Sequence, residues 1–101
     1  MKAKIKDHII NHNRSLGYGI TDLDLIETLQ EGPLLSRTET DSHRWWQEYE
    51  HVVSIGGVLI GFITAETTGD MTAKEAGFKF DLEGVQEMVE TIKTLTVYIP
   101  K

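Results

Sequence analysis

No cysteine occurs anywhere in the 101 residues. That absence removes disulfides, thiolate metal sites and cysteine nucleophiles together, and because a small secreted domain usually needs such staples, a reducing cytoplasm is the expected setting. Long apolar runs are also missing. The longest, Val52 to Ala65, is interrupted by Ser54, Gly56, Gly57, Gly61 and Thr64, too short and too broken to span a bilayer, so no membrane association is expected. The segment Met1 to Asp7 carries charge with no apolar stretch behind it and does not read as a signal peptide. Positive charge is scarce as well: Lys and Arg number 10 against 16 Asp and Glu, for a net charge of −6.

The charge that is present is unevenly placed. Residues 1–15 hold Lys2, Lys4, Lys6 and Arg14 against Asp7, whereas residues 39–90 hold eleven acids against Arg44, Lys74 and Lys79. An acidic surface of this kind either aids solubility or docks on a basic partner, in the second case by imitating nucleic acid. It disfavours nucleic-acid binding by the body of the domain and leaves only the N-terminal segment to supply phosphate contacts. At 11.4 kDa, with 40% apolar and 26% charged residues, the chain is sized and composed for a single domain over residues 1–101, with residues 1–15 as a helix that could act as a mobile arm.

Ile5, Ile9 and His12 recur at helical spacing in residues 3–14, and Gly17-Tyr18-Gly19 ends that helix. A second helix over 22–31 has the clearest local grammar: Thr21 caps it, Asp22 and Asp24 sit at the positive end of its dipole, Leu25, Ile26 and Leu29 form its stripe, and Gly32-Pro33 stops it. Residues 34–44 are polar and β-tolerant, an extended edge segment followed by a loop. The centre of the fold is a hairpin of 45–55 and 58–68, two runs rich in aromatic and β-branched residues. Gly56-Gly57, between them, suits a type I′ turn. Thr72-Ala73-Lys74-Glu75 reads as a capping box for a short helical insert near 72–76, Phe78-Lys79-Phe80 as a short strand, and Leu95 to Ile99 as a closing strand. The expected class is α+β: N-terminal helices packed on an antiparallel β-meander.

His43-Arg44-Trp45-Trp46, with Tyr49 three residues on, is the most unusual string. Neighbouring side chains on a strand point to opposite faces, so only one of the two indoles can enter a core. The other is covered by the early helices or forms, with Arg44 and Tyr49, an anchor patch of the residue types enriched at binding hot spots. A second candidate is the turn Glu66 to Asp70, where Thr68 and Asp70 either satisfy their own backbone or contact a ligand. No catalytic constellation is present: there is no nucleophile elbow, and the three glycines of Gly56 to Gly61 lack the helix N-terminus that a phosphate loop needs. His8 and His12 would share a helix face, but zinc needs a third ligand, which Asp7, on the other side of that helix, does not supply. No cofactor, metal or enzymatic activity is expected.

The strings His43-Arg44-Trp45-Trp46, Val52 to Gly61, Ala65 to Asp70, Gly77-Phe78-Lys79-Phe80-Asp81 and Tyr98-Ile99-Pro100 resemble small accessory proteins of tailed bacteriophages and related mobile elements. The resemblance covers rather more than the C-terminal half and leaves the first forty residues unmatched. It implies a bacterial cytoplasm and a compact accessory protein, and it carries over no functional residue. The leading expectation is a non-enzymatic protein that binds another protein, as a phage-encoded modulator or inhibitor of a host factor. Alternatives are a small-ligand or nucleotide-binding module using Arg44 and the 67–70 turn, and a DNA-associated factor using the basic helix 2–14. Homodimerisation, for instance through an exposed strand edge such as 95–99, is also open.

Overall fold

The computed structural model describes residues 1–67, 72–90 and 98–101. Two helices, α1 (Ala3–Ser15) and α2 (Asp22–Glu31), precede four strands, β1 (Leu34–Ser42), β2 (Trp46–Ile55), β3 (Val58–Thr67) and β4 (Gln86–Glu87). The strands form one antiparallel meander in the order β1-β2-β3-β4. The class is α+β, as the patterning implies. No helix among the described residues is long and apolar enough to cross a membrane.

Local chemistry sets the start of α2 and the end of α1. At the head of α2 the Asp24 amide donates to Thr21 Oγ1 at 3.2 Å, while Asp24 Oδ2 accepts from the Thr21 amide at 3.0 Å. This capping box satisfies two amides that the helix leaves orphaned. Hydrogen bonds from the Thr21 hydroxyl and amide hold the Asp24 carboxyl below its ordinary pKa. After α1 the chain reverses through Gly17 at φ +76°.

The hairpin turns at Gly56-Gly57, with φ of +54° and +83°, the left-handed pair a type I′ turn demands. Its first rung is Ile55 opposite Val58, and the register continues unbroken to Trp46 opposite Thr67. Odd-numbered residues of β2 therefore share a face with even-numbered residues of β3. The near end of that face, Val53, Ile55, Ile60 and Phe62, meets Ile5 and Ile9 of α1, Leu25 and Leu29 of α2, and Val85 in the core. α1 is thus docked on the sheet through Ile5 and Ile9. His8 fastens it to the turn: its Nε2–H donates to the Ile55 carbonyl at 2.7 Å.

Among the described residues, one polar side chain is sealed inside. Asn13 is fully buried, donating from Nδ2 to the Gly19 carbonyl at 3.0 Å and accepting from the Thr28 hydroxyl at 2.9 Å. It joins α1, the glycine link and α2 through bonds that offset its desolvation.

The second half departs from expectation in two places. Residues 73–77 make one hydrogen-bonded turn, with the Glu75 amide on Thr72 Oγ1 at 3.2 Å and the Ala76 amide on the Thr72 carbonyl at 3.0 Å, but no helix follows. Phe78-Lys79-Phe80 is not a strand. The two rings serve different neighbours, Trp46 and Phe62, and the pairing along β3 is made instead by Gln86 and Glu87. Most of the closing strand expected at 95–99 lies outside the described residues; Tyr98 and Ile99 are exposed and irregular.

The turn gives a graded test. Gly57→Ala adds a Cβ with nothing within 4 Å, whereas at Gly56 it would lie 3.1 Å from His8 Nε2. Gly57→Ala should cost about 1 kcal/mol from its left-handed backbone alone, and Gly56→Ala more. Equal costs in urea denaturation would show that α1 does not bear on the turn. Thr21→Ala should cost about 1 kcal/mol through loss of the cap.

Candidate functional site

At the far end of the sheet from the diglycine turn, β1 and β2 are joined by a tight tip. The His43 amide donates to the Trp46 carbonyl at 2.8 Å, which leaves Arg44 and Trp45 at the apex. Trp45 is 49% exposed, and the Arg44 guanidinium carbon stands 4.8 Å from the centre of its ring. A cation over an indole face is held by the ring's negative quadrupole.

Trp46, the first residue of β2, supports this tip from below. Its ring stacks on His43 at 4.7 Å and meets the edge of Phe78 at 6.3 Å. Its Nε1–H donates to Glu48 Oε2 at 3.3 Å, and the same oxygen pairs with His43 Nε2. One indole is therefore pinned and half-buried and the other is offered to solvent; neither belongs to the hydrophobic core. Phe78 also lines a groove of about 530 Å³ between α2 and the 73–80 segment, walled by Leu23, Ile26 and Phe80 with Lys74 and Lys79 at its rim.

The structure separates Tyr49 from this tip. Trp46 and Tyr49 lie an odd number of residues apart on a continuous strand, so they occupy opposite faces. Tyr49 instead lies under Arg37, whose guanidinium carbon is 3.7 Å from its ring centre. Thr68 and Asp70 fall outside the described residues.

A second cluster, not foreseen from the sequence, fills the part of the helix-side face that the helices leave uncovered. Arg37 of β1 crosses Tyr49 to pair with Glu66 of β3. Beside it the His51 ring packs 5.5 Å from Phe62, with Nε2 3.1 Å from Thr64 Oγ1. Only the register, with Arg37 opposite His51 and Tyr49 opposite Thr64, brings these residues together. Burial, and then the Arg37 charge, pushes the His51 pKa below its ordinary value, with Glu66 opposing.

The basic helix carries less free charge than its composition suggests. The N-terminal ammonium pairs with Glu83 at 3.3 Å and Lys6 with Asp22 at 3.8 Å. His8 spends the proton of its Nε2 on Ile55, so that nitrogen is not available to a metal. No protein-family model, curated protein or solved structure matches the chain at a significant level.

The His51 shift fixes the sign of a pH effect. With the folded pKa below the unfolded value of 6.5, the unfolded chain binds more protons in the window between the two. The contribution is complete above the unfolded value, shrinks as pH falls through it, and levels below the folded pKa. Denaturation midpoints followed from about pH 7.5 to about pH 5.5 should fall less for His51→Gln than for the wild type; parallel profiles would refute the assignment.

Proposed function

We propose that this chain is a small non-enzymatic accessory protein that binds another protein, with the Arg44–Trp45 tip as its anchor. The observation that carries the reading is a half-exposed indole at a hairpin apex with a guanidinium over its ring. Tryptophan and arginine are the types that dominate binding hot spots, because each brings a large contact area together with polar reach. The guanidinium already over the ring matters as much as exposure. A side chain already ordered before contact loses less entropy on binding, so more of its burial appears as affinity.

The resemblance of residues 43–100 to small proteins of tailed phages supports the same reading, since accessory proteins of that kind often act by engaging a host or viral component. A phage-encoded modulator or inhibitor of a host factor, working in a bacterial cytoplasm, is the specific form proposed. The excess of acids over residues 39–90 would favour a partner whose surface is basic around an apolar pocket, and it would speed their encounter at low salt.

The test is affinity capture from a bacterial lysate with mass-spectrometric identification, followed by titration of the recovered partner. Trp45→Ala should weaken that partner by about tenfold or more, with the thermal midpoint unchanged because Trp45 lies outside the core. Arg44→Ala should weaken it less. If neither variant loses affinity while both remain folded, the tip is not the anchor.

A further inference from the structure

β1 is nine residues long and exposed at every position, and it forms one edge of the sheet. Its inner side is bonded to β2, while its outer side has no backbone partner among the described residues. A long open edge is a template for another strand, and the hydrogen-bond phase of the sheet fixes which residues offer it.

In a hairpin with a two-residue loop the residues flanking the turn form a hydrogen-bonded pair, and such pairs then alternate along the ladder. Odd residues of β2 from Ile55 onward thus bond to β3, and even ones bond outward to β1. The Ser54 amide, bonded to the Pro33 carbonyl at 3.2 Å, agrees with this phase. Val52 and Glu50 face Ser36 and Thr38, so Ser36 and Thr38 spend their backbone groups on β2. Leu35, Arg37 and Glu39 turn theirs to the open side.

We propose that two copies of this chain pair through β1, antiparallel, about a two-fold axis at Thr38. Antiparallel pairing along this edge must set odd residues opposite odd ones, which restricts the axis to a residue rather than a gap between residues. An axis at Arg37 opposes Arg37 to its own copy, and an axis at Glu39 does the same to Glu39. The axis at Thr38 instead sets Arg37 opposite Glu39 of the second copy on both sides, Thr38 opposite Thr38, and Ser36 opposite Thr40. These are opposite-charge and hydroxyl pairs, the kinds that favour cross-strand association. The axis also lies within the regular stretch from Ser36 to Glu39, before the irregularity that bends β1 between Glu39 and Ser42.

Arg37 would exchange Glu66 for Glu39 of the second copy, a small cost because the Arg37–Glu66 pair lies at the surface. The contact is short and polar, so the dimer is weak and depends on concentration. This surface is independent of the Arg44–Trp45 tip, and either proposal can fail alone.

Sedimentation equilibrium of the full chain over a concentration series tests it. The wild type should show a monomer–dimer equilibrium. Arg37→Glu and Glu39→Arg should each weaken it by about tenfold or more, because like charges then face one another twice. An equimolar mixture of the two variants should restore association: the first variant carries acids at both positions, the second carries arginines at both, and each acid then meets an arginine. Circular dichroism establishes that each variant is folded. Should Arg37→Glu not fold, Glu39→Arg suffices, because Glu39 makes no side-chain hydrogen bond or ion pair among the described residues. A wild type that remains monomeric at its solubility limit, folded variants that dimerise as the wild type does, or a folded mixture that stays monomeric would each overturn the proposal.

Discussion

The reversal at Gly56-Gly57 is the constraint on which the rest of the molecule depends. Once Ile55 is paired with Val58, every residue of the two central strands is assigned a face and a hydrogen-bonding direction. A slip of one residue would carry Val53 and Ile60 into water and bring Val52 and Gly61 beneath the helices. α1 guards against such a slip from outside the sheet, because His8 is bonded to the Ile55 carbonyl and packed against Gly56. The turn is therefore held by its own backbone geometry and by a helix residue 47 positions earlier in the chain.

The same parity divides the helix-side face into two regions of different character. Two short helices bring four buried aliphatic residues, Ile5, Ile9, Leu25 and Leu29, and cover only the end of the sheet nearest the turn. Beyond the helices the face is built from tied polar groups, Arg37 with Glu66 across Tyr49, and His51 with Thr64. Among the described residues, full burial of a polar side chain is confined to Asn13, whose bonds join three segments. Farther still, at the β1–β2 tip, stacking replaces burial: Trp46 on His43, and the exposed Trp45 ring under Arg44.

Legibility from the sequence followed the range of the interaction responsible. α2 could be read with its limits because Thr21, Asp24 and Gly32 act within one turn of its ends. The central hairpin could be read because two adjacent glycines between β-rich runs permit few other conformations. β1 was legible as an edge because its residues are polar on both faces. Phe78-Lys79-Phe80 misled because alternation with period two also arises when two rings serve separate neighbours, here Trp46 and Phe62. At the candidate site, strand alternation implied two unequal indoles but not which one faces water: Trp45 lies in the tip before β2 begins, and neither indole enters the core. The membership of Tyr49 was misread, since three residues along a strand means the opposite face.

Arg37 marks the other boundary of what could be read. Nothing near it in the chain points to Tyr49 or Glu66, and its partners follow from a register that begins at a turn many residues away. By itself the sequence determined the helices, the turn and the class of fold, because caps, glycine torsions and side-chain periodicity all act over a few residues. Only the tertiary structure decided which groups meet across strands: the Arg37–Tyr49–Glu66 tie, the His51–Thr64 contact, the bracing of Trp46 by His43 and Phe78, and the open side of β1. Those contacts are set by pairing and packing between distant segments, which local chemistry does not encode.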